Sequence, residues 1–308
     1  MLTEPYKTLN HFKIENGIQA KIIADSISPS GVRLTTLELQ YHRFVHSEMM
    51  THRMFSRNAS SSRAIPTTKM LEQIRSNPAM PIHWGKNQAG MQAREELPEI
   101  EIDVVKSDWN YASKRMTEIA TLMSEMDLHK QIVNRILEPF QWIKVIVTAT
   151  EWDNFFKLRL HKDAQPEMMV LAEHMKKAMD ESIPVELQPG EWHLPYVDLA
   201  DFDDSGHPIT EAIKCSVARC ARIAVLKHDG TKPAIEEDLK LYNRLVGSSP
   251  EHASPCEHIA TPMPAIIYEN KHPYDCDWVK GVTHQDRDSR YWSGNFRFWI
   301  MYRNLLCT

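Results

Sequence analysis

Apolar and polar positions change period several times along this 308-residue chain. Ala20, Ile22 and Ala24 alternate with Lys21 and Ile23, and Val32, Leu34 and Thr36 continue the two-residue period, which predicts strands. Asn16-Gly17 and Pro29-Ser30-Gly31 supply turns. Residues 42–55 shift to helical spacing, with Val45, Met49 and His52 on one side. Residues 56–68, rich in Ser and Arg and closing near Pro66, predict a loop. An amphipathic helix is predicted over 104–126 and a second over 128–138. The run Ile143 to Ala149 fits a buried strand or a helical segment equally well. Pro166 suits the first turn of a helix through Met179, whose Met168, Leu171, Ala172, Met175 and Met179 make one core-type stripe. Residues 184–209 carry four prolines and several Asp, which predicts a surface connection. Helical spacing returns over 210–226, with Ile213, Val217, Cys220 and Ala224 inward, and over 234–246.

These elements predict one α+β unit, with long helices packed around a mixed sheet. Composition agrees: 42% hydrophobic and 25% charged residues describe a globular chain. A net charge of −5 argues against a protein that coats nucleic acid through a broad basic face. No apolar run approaches the roughly 20 residues that cross a bilayer. The start, MLTEPYKTLNHFKIENG, has no apolar stretch of the kind found in a secretory leader. Five cysteines without a Cys-x-x-Cys pair predict free thiols in a reducing cytoplasm and no metal site. The closing stretch, with Trp292, Arg297, Trp299 and Arg303, is aromatic and basic, and packing is its expected role.

Candidate chemistry gathers in three places. His52 to Arg63 holds three Arg and four Ser in twelve residues, the hydroxyls and forked guanidinium groups that suit a phosphate. Arg159 lies between Leu158 and Leu160, where an unpaired charge is costly, so it requires an anionic partner: a carboxylate or a ligand phosphate. Ser254-Pro255-Cys256-Glu257-His258 sets a thiol beside an imidazole, a pairing that can make a nucleophile.

His52-Arg53, seven residues and then Ser61, with Asn58 and Arg63, resembles the signature of the flavin-dependent thymidylate synthases (thymidylate synthase complementing proteins). Asn154, Leu158-Arg159 and Ala164-Gln165 with Glu167 are similar to a later motif of that family. Ala218-Arg219-Cys220-Ala221-Arg222, Gly230-Thr231-Lys232-Pro233 and Ser254-Pro255-Cys256-Glu257-His258-Ile259 resemble its N-terminal part, here placed after the signature. The resemblance covers roughly residues 30–180 and 212–262. It implies a longer, permuted relative: one domain over 1–308, with a signature half at 1–183, a connection at 184–209 and the remainder at 210–308.

The resemblance also implies a chemistry. A nicotinamide cofactor, NADPH, reduces FAD, and methylenetetrahydrofolate supplies one carbon to C5 of a pyrimidine deoxynucleoside monophosphate, dUMP or dCMP. His52, Arg53, Ser56, Asn58, Asn154 and His258 match flavin positions. Ser61, Ser62, Arg63, Arg159 and, ahead of Leu137-Glu138-Pro139, Arg135 match nucleotide positions, and His52, Ser61 and Arg159 are the expected catalytic set. Glu48 stands where the family has Gln near the base. An ionised carboxylate only accepts hydrogen bonds, so Glu48 facing the base favours the amino group of dCMP, while Glu48 paired with Arg53 or Arg57 leaves dUMP. The chain departs from the pattern at Thr51, Ala59, Ala64, Asp163, Thr148 and Thr150. The resemblance implies a homotetramer, and a cytoplasmic location is expected. Two rival readings remain: a pyrimidine methylase with Cys256 as nucleophile, and a nucleotide-binding flavoprotein without catalysis.

Overall fold

The computed structural model describes residues 17–203, 208–223, 233–264 and 279–306. Asn16, Ala224 and the Gly230-Thr231-Lys232 stretch lie outside them. The first alternating run closes into a hairpin of β1 (Gln19–Ile27) and β2 (Arg33–His42), paired antiparallel from Gln19 opposite Gln40 to Ile27 opposite Arg33. Its turn needs Gly31: φ there is 75°, a region that strains any residue with a Cβ, and the Gly31 N–H donates to the Ser28 carbonyl at 2.9 Å.

Among the described residues, β3 (Ser56–Ala59), β4 (Trp142–Ala149) and β5 (Val185–Glu186) complete a five-stranded sheet in the order β3-β4-β2-β1-β5. The β1–β5 pair is parallel and the others antiparallel, so the sheet is mixed, as expected. Ile143 to Ala149 is strand rather than helix, since β2 on one side and β3 on the other satisfy its backbone. The predicted loop over 56–68 is corrected at its start: Ser56 to Ala59 pair with Thr148 to Val145.

The helices follow in chain order: α1 (His46–Met50), α2 (Thr67–Ser76), α3 (Glu99–Glu125), α4 (Lys130–Val133), α5 (Asp153–Arg159), α6 (Pro166–Glu181), α7 (Ala200–Asp203), α8 (Ile209–Arg222), α9 (Ile235–Val246) and α10 (Arg303–Leu306). The single helix expected over 128–138 is split. α4 gives way to a 3-10 stretch, Asn134–Phe140, which contains Pro139, a residue without the N–H that an α-helix needs.

Both faces of the sheet are covered. Leu37, Leu39, Val145 and Val147 meet Met168, Leu171, Ala172, Met175 and Met179 of α6, all buried. At roughly 1.5–3 kcal/mol for each fully buried side chain, this stripe anchors α6 without help from Gln165, which makes no side-chain cap bond. The opposite face, with Ile146, packs against α8, α9 and the 192–202 segment through Leu194, Val197, Phe202, Ile213, Val217 and Cys220. The surface connection expected over 184–209 is therefore corrected in its middle: it is a crossing strap in which Leu194, Val197 and Phe202, with His193, are buried, while Val185 and Ile209 near its ends are exposed.

The chain end forms β6 (Ala260–Pro262), β7 (His284–Gln285), β8 (Tyr291–Ser293), β9 (Phe296–Arg297) and β10 (Trp299–Met301). It packs as expected. Trp299 and Phe296 are fully buried beside Val32 and Leu34, and the Trp299 Nε1–H donates to the Val32 carbonyl at 3.0 Å. Arg297 meets Glu151 at 2.7 Å, and Arg303 meets Glu257.

Candidate active site

The signature segment leaves α1 through a tight turn held by Arg57. Its Nη1 donates to the carbonyls of Met49, Met50 and His52 at 3.2, 3.0 and 2.8 Å. A cation there satisfies the orphan carbonyls at a helix end. The turn then feeds β3, which sets Ser56 opposite Thr148 and Asn58 opposite Ile146.

Arg159 ends α5 and reaches back over this turn. Its Nε–H donates to His52 Nε2 at 3.0 Å and its Nη1 to Glu48 Oε2 at 3.2 Å. Its Nη2 reaches the Glu48 carbonyl and Thr51 Oγ1, both at 3.4 Å. The anionic partner that Arg159 required is thus a carboxylate, and Glu48 pairs with Arg159 rather than with Arg53 or Arg57. Because Nε2 of His52 accepts, its single proton sits on Nδ1. Burial among Phe55 and Phe155, and then the charges of Arg159 and Arg57, lower the His52 pKa to about 4, so the ring is neutral near pH 7. Burial pushes the Glu48 carboxyl upward, and Arg159 opposes that shift.

A second knot sits one turn further along. Glu138 accepts from Ser62 Oγ at 2.8 Å and from Arg135 Nη1 at 2.8 Å, and it pairs with Arg43 Nη2 at 3.3 Å. Asn134 Nδ2 donates to the carbonyls of Ser62 and Ile65 at 2.7 and 3.0 Å. Ser62 is buried in this knot, whereas Ser61, Arg53, Arg63 and Asn154 are exposed.

His258 is fully buried beneath β3 and β4. Its Nδ1 lies 2.8 Å from Thr148 Oγ1 and its Nε2 3.3 Å from Asn58 Oδ1. The later segment therefore touches the signature directly, and Asn58 Nδ2 also faces Ser254 Oγ at 3.5 Å. Burial lowers the His258 pKa to about 3. Cys256 is equally buried, in the core with Val217, Cys220 and Tyr242, which removes it from any bound base and tells against a thiol nucleophile. Among the described residues, no group of three or more His, Cys, Asp or Glu is gathered for a metal, and no helix is long and apolar enough to cross a membrane.

Sequence reasoning missed Thr36, His193 and Asn295. Thr36 and Thr148 sit opposite each other in register, and each is a polar residue at a fully buried position of an apolar strand; that break in the pattern was the available signal. Asn295 Nδ2 donates to the Met54 carbonyl at 2.7 Å, and Ser56 Oγ donates to Asn295 Oδ1 at 3.3 Å. Nothing in the spacing of the chain marks that contact.

Residues 28–185 match the sequence model of the thymidylate synthase complementing protein family. No individual curated protein matches the chain. Among solved structures, the UMP/dUMP methylase PolB from Streptomyces cacaoi, bound with 5-Br UMP, is 14% identical. That match covers 53% of this chain and 89% of PolB, with a TM-score of 0.44. The flavin-dependent thymidylate synthase ThyX from Helicobacter pylori, complexed with FAD and dUMP, is 17% identical. It covers 47% of this chain and 67% of ThyX, with a TM-score of 0.34.

Proposed function

Because the chain belongs to the thymidylate synthase complementing protein family, we propose that it catalyses flavin-dependent transfer of one carbon from methylenetetrahydrofolate to C5 of dUMP, giving dTMP. The carrying observation is the meeting of the family's two motifs: Arg159 of the later motif is hydrogen-bonded to His52 of the signature at 3.0 Å. The fit to FAD and a nucleotide is chemical. Exposed Arg53 and Arg63 guanidinium groups, the exposed Ser61 hydroxyl and the amides of Asn58 and Asn154 are donors of the kind that flat anionic ligands require. FAD, reduced by NADPH, supplies the electrons when bound.

The chain's own residues have separable tasks. Arg159 fixes the neutral His52 ring and holds positive charge where a base carbonyl becomes electron-rich. Arg63, with Ser61, binds the nucleotide phosphate, and Arg53 and Asn154 hold the flavin. Ser62 and Arg135 act through the Glu138 knot, which fixes the turn that carries Arg63. His258 positions Asn58. Its contact with Asn58 supports the permuted arrangement, in which 210–308 completes the site of the signature half. Glu48 is engaged by Arg159, which favours dUMP over dCMP.

The exposed apolar stripe Ile100, Val104, Tyr111 and Leu122 along α3, continued by Met126 at its C-terminal cap, supports assembly into a homotetramer. The deciding experiment is the visible spectrum of the purified protein with added FAD, followed by folate-dependent turnover of dUMP and dCMP. A bound-flavin spectrum and preferential methylation of dUMP are expected. Absence of flavin binding at saturating FAD overturns the proposal, and preferred turnover of dCMP transfers the same chemistry to that base.

A further inference from the structure

A line of hydrogen bonds crosses the sheet on the face away from α6. Ser26 Oγ lies 2.8 Å from His193 Nδ1, and His193 Nε2 lies 2.8 Å from Thr36 Oγ1. Thr36 Oγ1 lies 2.7 Å from Thr148 Oγ1, which lies 2.8 Å from His258 Nδ1. His258 Nε2 then reaches Asn58 Oδ1 at 3.3 Å. The strands β1, β2, β4 and β3 each contribute one member. The two imidazoles, from the crossing strap and the 254–258 turn, bridge between them. Ser26, Thr36, Thr148, His193 and His258 are all buried, and only Asn58 is half-buried.

Counting protons ties the sense of the whole line to the orientation of the Asn58 amide. A hydroxyl has one hydrogen, a neutral imidazole has one N–H, and a buried polar group left unpaired is costly. With Asn58 Oδ1 turned inward, His258 carries its proton on Nε2. Its Nδ1 then accepts from the Thr148 hydroxyl. Thr148 in turn accepts from Thr36, Thr36 accepts from His193 Nε2–H, and His193 Nδ1 accepts from Ser26. With both rings neutral, one other arrangement satisfies every junction. It is the complete reversal, in which Asn58 turns its NH2 group inward to His258.

We propose that this line is a positioning relay: by holding His258 as the Nε2–H tautomer, it locks the Asn58 amide with Oδ1 inward and Nδ2 outward, one Nδ2 hydrogen facing Ser254 Oγ and the second left for an acceptor atom of the bound heterocycle. The ligand class rests on the function proposed above; the relay itself does not. A ligand edge offering a carbonyl or ring nitrogen to Asn58 is matched, and an edge offering an N–H meets a donor. Burial lowers the pKa of both His193 and His258 to about 3, in keeping with neutral rings near pH 7. The far end matters as much as the near one, because a single cut frees every junction beyond it to reverse.

The test is tautomer assignment in the full-length protein labelled with 15N-histidine, read by two-bond 1H–15N correlation, with Kd for FAD and for dUMP measured in parallel. Wild type is expected to show His193 and His258 as neutral Nε2–H rings. Thr36→Val, which removes the central hydroxyl, is expected to give a tautomer mixture at His258 and to weaken ligand binding about tenfold, the scale of one net hydrogen bond. Thr36→Ser is expected to restore both. Should Thr36→Val fail to fold, Ser26→Ala at the far end carries the same test. An Nδ1–H or charged ring at either position overturns the relay. So does a Thr36→Val protein that loses thermal stability while tautomers and Kd stay unchanged, since that describes a structural role alone. If wild type binds neither FAD nor dUMP, the functional reading falls, and the tautomers and their dependence on Thr36 still decide the relay.

Discussion

Arg159 and His52, separated by 107 positions, meet at 3.0 Å, with the guanidinium Nε–H donating into the imidazole lone pair. The same guanidinium holds Glu48 at 3.2 Å, so one side chain ties α5, α1 and the signature turn together. Lysine has the charge without the fork. Arg159→Lys is expected to fold and to lose dUMP affinity by roughly tenfold to a hundredfold, about 1.5–3 kcal/mol for a lost charge-assisted contact. Isothermal titration with dUMP checks this, and unchanged affinity would remove Arg159 from the nucleotide site.

Cys256 separates the proposed chemistry from its thiol rival. Its side chain is fully buried in the core. Cys256→Ala is expected to cost on the order of 1 kcal/mol of stability, the scale for removing one heavy atom from a core. Turnover of dUMP is expected to stay within about threefold of wild type, less than 1 kcal/mol in the barrier. Abolished turnover in a folded protein would instead establish a cysteine nucleophile.

Four imidazoles should make the fold acid-sensitive. Burial, first among the causes at each, lowers the pKa to about 4 at His46 and His52 and to about 3 at His193 and His258, from 6.5. Between pH 6.5 and 5 the unfolded chain binds protons at these sites that the folded chain does not, so stability rises with pH and falls on acidification. Glu48 is raised and acts in the opposite sense, but it is a single group against these four and His42, which burial also lowers. Urea midpoints at pH 7, 6 and 5 should decline in that order. A midpoint that is flat or rises toward pH 5 contradicts neutral, buried rings.

The α3 stripe bears on assembly. Ile100, Tyr111 and Met126 are 81%, 71% and 72% exposed on one side of a helix about 40 Å long. Replacing Tyr111 and Leu122 together with Glu puts two charges in the middle of that face. Light scattering coupled to size exclusion is expected to show a homotetramer for wild type and a smaller species for the double variant. A wild-type monomer would refute the assembly.

Much of this was legible because hydrophobic period reports burial directly. The alternation at Ala20 and Ile22, the Met stripe of α6 and Ile213, Val217 and Cys220 of α8 lie where the pattern puts them. The 56–68 segment misled because Ser56 to Ala59 gain strand structure from pairing with β4, a tertiary effect that Ser- and Arg-rich composition conceals. The 184–209 strap misled for a related reason. Prolines signal an irregular path and not exposure, and Leu194, Val197 and Phe202 lie in the core. At the site, the motif residues were found by their resemblance to a family. Thr36 and His193 act through partners more than a hundred residues distant; the polar break at Thr36 marks a buried hydroxyl, but spacing does not name its partners.

Asn295 gives the appended end of the chain a task at the site. It sits in the tight turn between β8 and β9, where Gly294 takes a φ of 60°. From there its amide bridges the Met54 carbonyl and the Ser56 hydroxyl, two groups of the signature segment just beyond His52 and Arg53. Ser56 is buried, so removing its acceptor leaves a hydroxyl unpaired at a cost of about 1–3 kcal/mol. Because Trp299, Phe296 and Arg297 hold the rest of the segment in place, Asn295→Ala should keep the fold and loosen only the 52–56 turn. The expected result is faster protease cleavage within that turn and a several-fold weaker Kd for FAD, with Asn295→Asp, which keeps the acceptor for Ser56 but not the donor to Met54, falling between. Equal cleavage and equal affinity in all three proteins would make Asn295 a bystander and leave the chain end with packing alone.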